Sequence, residues 1–272
     1  MADPEGTDRI ETDLEVVAGV TDRGHTHERN EDAMSLGRWP DGTVAAVVCD
    51  GVSTSLAPQR ASRTAADAAL DVLLTSRAPA EERVEAAATA AASAVSSLGR
   101  DGDPHAPSCT LVCALVRPDE IAVAWVGDSR AYWLAPPDAA EPARAVTSDH
   151  SWAAQMVAAG VIGEADAMRD PRAHAITRWL GAGGTTEPEV VTLRPTGRGA
   201  LLLCTDGLWN YLPGAADLAA VALPELADGG AIAAAEALTT LALDAGGRDN
   251  ITVVVIPVGS DRPIRVISGH EK

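Results

Sequence analysis

The sequence predicts an α+β fold in which β-sheets pack on one another and antiparallel helix pairs lie outside them. Two observations carry this. Strand-like segments come in runs, with helical segments paired between them, which is not the strict alternation of a doubly wound sheet. Several strand-like segments, such as Val44 to Cys49 and Ile251 to Ile256, are continuous apolar runs of the kind buried on both faces. A third observation bears on function. Acidic residues recur where these buried strands meet loops: Asp50 closes Val44 to Cys49, Asp206 closes Leu201 to Thr205, and Asp249 precedes Ile251 to Ile256.

Taken in order, residues 1–13 are polar and acidic and read as a disordered tail. Leu14 to Val20, Met34 to Leu36 and Val44 to Cys49 read as strands. Arg60 to Ser76 reads as a helix, with apolar or small residues at 61, 65, 68, 69, 72 and 73. A second, Ala-rich helix opens near Pro79 and runs to about Leu98, before Gly99. Cys109 to Val116 and Ile121 to Val126 form a hairpin across Arg117-Pro118-Asp119-Glu120. Ala131 to Leu134 follows. Ser148 to Ala159 reads as a short helix capped by Ser148 or Asp149 and stopped by Gly160. Residues 161–188 read as irregular. Glu189 to Leu193 and Ala200 to Cys204 are strands, Ala215 to Ala222 and Gly230 to Ala245 are helices, and Ile251 to Pro257 is the last core strand. There is no internal repeat and no domain boundary, so 14–258 reads as one domain. Residues 259–272 add an edge strand (Ile264 to Ile267) or form a tail.

The chain has 272 residues, 46% of them hydrophobic, which suffices for a sizeable core; Phe is absent, so aliphatic packing dominates it. No stretch of about 18 uninterrupted apolar residues argues for a membrane span, and the N-terminus lacks the features of a secretory signal. The net charge of −18 argues against sequence-independent nucleic-acid binding and gives no long-range attraction for an anionic substrate. Any phosphate site must be local. Cys49, Cys109, Cys113 and Cys204 sit in apolar runs without CxxC spacing and read as buried thiols of a cytoplasmic protein.

Carboxylates gathered at strand ends repel one another unless a cation neutralises them, and hard divalent cations suit oxygen ligands best. Each motif also has a plainer reading. Asp50-Gly51 and Asp206-Gly207 alone are turn dipeptides, yet each ends a strand that does not tolerate a lone buried carboxylate. Asn30-Glu31-Asp32 is either a solvated loop or a ligand with a partner for bound water. Gly127-Asp128-Ser129-Arg130 is either a hairpin turn or a source of a further ligand. Asp149-His150-Ser151 reads first as helix-capping chemistry. His25 and His27 have no third soft ligand nearby, so zinc is not indicated.

Together these motifs closely resemble the metal-dependent protein phosphatases of the type-2C-like family, in their bacterial form. The matching segments keep the family's order: TDRGHTHERNEDA (21–33), VVCDG (47–51), SCT (108–110), WVGDSRAY (125–132), SDHS (148–151), HAITRWLG (174–181), LLLCTDGLW (201–209) and GGRDNITVVV (246–255). The resemblance implies a central β-sandwich of two antiparallel sheets with helix pairs on both outer faces. It implies two Mn²⁺ or Mg²⁺ ions, with a third in bacterial members. By motif, Asp50 bridges two metals, the Gly51 carbonyl binds one, Asp206 and Asp249 bind the other, Glu31 and Asp32 serve metal-bound water, and Asp128 meets the third ion. Residues 152–180 match a mobile flap. The implied activity is hydrolysis of phosphoserine and phosphothreonine in proteins by metal-activated water, without a phosphoenzyme, opposite a cognate kinase. A monomer is expected, with neither membrane nor nucleic acid as partner.

Two departures stand out. Many members carry Arg five residues before the Asp of the acidic pair, where it contacts substrate phosphate; here that position is His27, leaving Arg29, Arg23 or protonated His27 for the phosphate. After Asp50-Gly51 the usual Met-Gly-Gly or His-Ala-Gly is replaced by Val52-Ser53-Thr54, so leaving-group protonation is unassigned. A phosphoprotein-binding module with weak catalysis and a small-molecule phosphomonoesterase are the alternative readings.

Overall fold

The computed structural model describes residues 9–99, 103, 105–167, 169–181, 183–184, 187–195 and 197–259. The chain opens with β1 (Arg9–Asp13), β2 (Ala18–Asp22), β3 (Ala33–Arg38) and β4 (Val44–Cys49), then α1 (Pro58–Thr75) and α2 (Ala80–Ser96). Next come β5 (Ser108–Cys109), β6 (Leu111–Val116), β7 (Ile121–Val126), β8 (Arg130–Leu134) and β9 (Arg144–Ala145). Two short helices, α3 (Trp152–Ala158) and α4 (Glu164–Ala167), precede β10 (Leu180–Gly181), β11 (Glu189–Leu193) and β12 (Gly199–Cys204). The one-turn α5 (Asp206–Trp209), the long α6 (Ala215–Asp244) and β13 (Ile251–Val258) complete it.

Six strands in the order β1-β2-β13-β12-β8-β9 form one antiparallel sheet, and five in the order β11-β7-β6-β4-β3 form the other. The period-two alternation of side chains explains the continuous apolar runs. On β4, Val44, Ala46 and Val48 face the opposite sheet together with Leu201, Leu203 and Val254. Ala45, Val47 and Cys49 face the helix pair α1/α2, whose Ala61, Ala65, Ala69, Ala87, Ala88 and Ala91 allow close approach. On β12, Ala200, Leu202 and Cys204 turn the other way, toward α6. Every strand of the centre is therefore buried on both sides, and all four cysteines are buried and free.

The helix pair expected near the C-terminus is α6, bent at Gly230 (φ 83°, ψ −170°), a backbone only glycine adopts without strain, with Pro224 one turn and a half earlier. By length and composition α6 could cross a bilayer, but Leu218, Ala222, Ala234, Ala235, Leu238 and Ala242 are buried on the six-stranded sheet, as in a core helix.

Several expectations need correction. Arg9–Asp13 are an edge strand on β2 and not the end of a disordered tail; Leu14 to Val17 are the turn between them, because the Asp13 carboxylate accepts from Glu15 N–H and the Leu14 N–H donates to Val17 O. The short helix begins at Trp152, since Asp149 is drawn away to Arg130 and Ser151 caps it by accepting from Ala154 N–H. Gly127-Asp128-Ser129 is no hairpin turn: β7 and β8 lie in different sheets, and these residues carry the chain across the sandwich. The expectation for the C-terminus falls, from residue 260 on, outside the described residues.

Candidate metal centre

Antiparallel register brings the acidic strand ends together. Ala33 pairs with Cys49, so Asp32 and Asp50 leave the five-stranded sheet at one edge. Leu111 pairs with Val126, which puts Asp128 at that same edge. Cys204 pairs with Val253, so Asp206 and Asp249 leave the six-stranded sheet side by side. Burial pushes the Asp50 carboxyl well up, and the charges of Asp32, Asp206, Asp128 and Asp249 push it further, so all five share one electrostatic neighbourhood.

Like Asp128 at 5% exposed, Asp32 is buried, at 7%. Its Oδ2 accepts from Thr205 Oγ1 (2.9 Å) and Thr252 Oγ1 (2.7 Å), while its Oδ1 is buried without a hydrogen-bond partner. Behind Thr252, Thr21 Oγ1 lies 2.7 Å away and in turn accepts from Asn30 Nδ2 (2.9 Å), which orients the hydroxyls toward the carboxylate. Burial, opposed by the two threonines and reinforced by Asp249 and Asp206, raises its pKa to about 8. Burial and then Asp249 raise Asp206 to about 7. Burial and Asp206 raise Asp128 as well.

Gly51 sits where two backbones meet: a Cβ there would lie 2.7 Å from both Glu31 O and Pro58 O. Its N–H donates to Glu31 O (3.1 Å). The Glu31 side chain accepts from Ser53 Oγ (2.6 Å), so a residue of the departing Val52-Ser53-Thr54 segment holds the acidic pair. Asp50 is fixed through its backbone, whose N–H donates to Thr110 Oγ1 (3.0 Å) and whose carbonyl accepts from Thr110 N–H (2.8 Å).

The loop before the acidic pair is pinned by Asn250, which the sequence reading left without a role. Its Oδ1 accepts from Glu31 N–H (2.7 Å), and its Nδ2 donates to Arg23 O (2.8 Å) and Arg29 O (3.1 Å). Its position beside Asp249, in a buried loop with many backbone groups to satisfy, was the available signal. His27 Nε2 lies 3.2 Å from Asp249 Oδ1. Arg23 Nη1 donates to the His27 carbonyl, and the Arg29 side chain is exposed.

A second missed set is Arg130, Asp149 and Trp209. Arg130 makes two bonds to the Asp149 carboxylate (2.8 and 2.7 Å), a third to Tyr132 OH (2.9 Å), and stacks 3.7 Å over the Trp209 ring. Trp209 Nε1–H donates to Asp128 O (3.0 Å), tying α5, which Asp206 begins, to the crossover. The Arg130 guanidinium is thus committed to Asp149 rather than to the cluster. His150 anchors the segment 152–180: its Nδ1 accepts from Gly127 N–H (3.0 Å), its carbonyl accepts from Thr177 N–H, and its Nε2 meets Glu189 Oε1 (3.0 Å).

An all-oxygen donor set of mutually repelling carboxylates, with the orphaned and buried Asp32 Oδ1 among them and Asp249 at the exposed side, fits hard divalent cations. Among the described residues no three of these donors are already drawn to a common point.

The family model for protein phosphatase 2C matches residues 21–238. The serine/threonine phosphatase stp of Listeria innocua is 30% identical over 252 residues, covering 87% of this chain and 93% of that protein. PstP of Mycobacterium tuberculosis is 29% identical over 258 residues, which cover 91% of this chain and 46% of that longer protein. Among solved structures, the serine/threonine phosphatase Stp1 of Staphylococcus aureus superposes with TM-score 0.78 at 25% identity, covering 91% of this chain and 96% of that one. The catalytic domain of PstP in complex with two manganese ions superposes with TM-score 0.70 at 26% identity, covering 89% and 97%.

Proposed function

The chain belongs to the protein phosphatase 2C family, and we propose that it is a metal-dependent phosphatase that hydrolyses phosphoserine and phosphothreonine in proteins. The observation that carries this is the meeting of Asp32, Asp50, Asp128, Asp206 and Asp249 at one end of the sandwich, each charge raising the cost of the others. When bound, two Mn²⁺ or Mg²⁺ ions supply neutralisation of the carboxylates, acidification of water near neutral pH, and Lewis-acid stabilisation of phosphoryl charge.

We assign Asp50, the Gly51 carbonyl, Asp206 and Asp249 to holding those ions, and Asp128 to a further one. Asp32 has Oδ2 fixed by two threonines and Oδ1 left over, so it suits accepting a proton or a water hydrogen bond beside the reacting oxygen. Glu31, held by Ser53, is its neighbour in that role. The 23–31 loop, pinned by Asn250, presents Arg23, His27 and Arg29 for the substrate phosphate. His27 is already partnered by Asp249, so Arg29, exposed and always charged, takes the main share in this reading. The partner kinase, monomeric state and cytoplasmic location belong to the same proposal; the supports are the free buried cysteines and the relatives' printed activity.

The test is hydrolysis of p-nitrophenyl phosphate and of a phosphothreonine peptide, with EDTA and then with Mn²⁺ or Mg²⁺. Metal-dependent turnover of both is expected, and Asp206→Asn removes it while circular dichroism stays unchanged. Near-normal turnover in the folded variant, or in EDTA, overturns the assignment. The His27–Asp249 contact favours one second reading, a phosphoprotein-binding module with weak catalysis; tight phosphopeptide binding with bound metal and no turnover selects it. A preference for free phosphomonoesters over the peptide selects a small-molecule phosphatase.

A further inference from the structure

At the opposite end of the five-stranded sheet lies a cavity of about 220 Å³ lined by Trp39, Asp41, Thr43, Arg83, Arg117, Pro118 and Asp119. The β3–β4 turn supplies Trp39 to Thr43, the β6–β7 turn supplies Arg117 to Asp119, and the first turn of α2 supplies Arg83. Asp50 leaves β4 at the other end, so the length of that strand, about 20 Å at about 3.3 Å per residue, separates the cavity from the carboxylate cluster.

Arg83 is unusual in its burial, with the residue 6% exposed. One terminal nitrogen donates to Leu73 O in the last turn of α1, and the guanidinium lies 5.2 Å from the centre of the Trp39 ring. Its Nε is buried without a hydrogen-bond partner. Among the described residues no carboxylate is in ion-pair contact with it, Asp41 acting only from further away, and a buried cation is costly without a close one. Two charges of opposite sign act on it. Arg117 is close enough to disfavour the charged form of Arg83, second only to burial itself, and Asp41, which lines the same cavity, favours it to a lesser extent. The Arg117 contact to Glu120 is long, 3.9 Å, and Asp41 spends Oδ1 on the N–H of Thr43 (2.9 Å). Two guanidinium groups, one of them buried and without a carboxylate in ion-pair contact, line an open volume with the Trp39 ring. Although Asp41 and Asp119 share the lining, the two guanidinium groups are the part of it that suits an anion. The volume lies below the usual range of about 300–1,000 Å³ for drug-sized ligands, so the occupant is small.

We infer that this cavity is a second, non-catalytic site that binds a compact phosphate-type oxyanion between Arg83 and Arg117 against the Trp39 ring. The inference does not depend on the proposed phosphatase activity. Its source is either free phosphate or the phosphoryl group of a small ester.

The test follows the indole N–H resonance of Trp39 in the metal-loaded protein during titration with inorganic phosphate. Phosphate at the carboxylate end lies too far away to move this signal in a saturable way. A saturable shift is expected, with affinity weakened at least about tenfold in Arg117→Ala, whose turn position leaves the core intact. Arg83→Lys is the companion variant; if it unfolds because the Leu73 carbonyl loses its partner, Arg117→Ala still decides. Glycerol phosphate separates the sources: tighter binding than inorganic phosphate assigns the Trp39 wall to an organic body, and equal or weaker binding assigns the cavity to free phosphate. No saturable Trp39 shift, or the same affinity in Arg117→Ala, overturns the inference.

Discussion

Replacing Asp32 by Asn should stabilise the metal-free protein at alkaline pH while removing its function. In the folded chain burial raises the Asp32 pKa from 3.8 to about 8. Between those values the folded chain keeps a proton that the unfolded chain has lost. Unfolding then releases a proton, so stability falls as pH rises through the window from about 4 to about 8, and is unaffected by this group below it. The whole gap corresponds to roughly 6 kcal/mol at about 1.4 kcal/mol per pH unit, a ceiling for one group. Neighbouring Asp206, raised to about 7, takes up a proton in the same range and relieves part of the repulsion, so a difference of about 3–6 kcal/mol is expected. Asparagine keeps an oxygen for the Thr205 and Thr252 hydroxyls and turns the orphaned Oδ1 position into a donor facing carboxylates. Urea unfolding in EDTA across this window provides the assay. Wild type should lose stability with pH, Asp32→Asn should lose less, with the slope that remains carried by Asp50, Asp128 and Asp206, and excess Mn²⁺ should flatten the wild-type curve. Parallel curves for the two proteins in EDTA would refute the argument, because the carboxyl would then carry no buried charge penalty.

Three further outcomes are expected. Asn250→Ala removes three hydrogen bonds of 2.7, 2.8 and 3.1 Å that pin the 23–31 loop; at about 1 kcal/mol each, stability should fall by about 2–4 kcal/mol in urea, with a rise in KM as the loop loosens. Gly207→Ala puts a Cβ 1.9 Å from the Asn250 carbonyl oxygen, a backbone clash that shifts α5 against the start of β13, so thermal melting should show a loss of more than about 3 kcal/mol or no folded protein. Ser151→Ala removes the cap of α3; global stability should fall by about 1 kcal/mol or less, while amide exchange in 152–158 speeds up.

Much of the layout was legible because its signals are local. The run Val44 to Cys49 is apolar without interruption, and both of its faces are covered, one by the second sheet and one by α1/α2. The turn at Arg117 to Glu120 forms where Pro and Asp place it, closed by Arg117 N–H to Glu120 O (2.8 Å). Boundaries were less legible where a side chain had a distant partner. Asp149 looked like a cap, but Arg130 holds it with two bonds from the start of β8. Asp13 and Glu15 looked like part of a polar tail and a strand start, but they make the turn that lets β1 pair along β2.

By itself the sequence determined the kind of chemistry: acidic residues at the ends of buried strands, in an order shared with a known family, and no Phe to break the aliphatic layers. It also determined the identity of the central strands and of the long helices, since periodicity and turn residues act within a few positions of one another, but not the edge strand Arg9–Asp13 or the short elements such as α4 and β10. Only the tertiary structure decided which acids meet. Asp32 is fixed by Thr205 and Thr252, 173 and 220 positions away. His27 turns to Asp249, and Asp128 lies on a crossover between sheets. Contacts of that kind depend on antiparallel register and on sheet stacking. A one-residue slip in β12 or β13 would point their side chains to the opposite face, and no local pattern around Asp32 records which register the rest of the chain will supply.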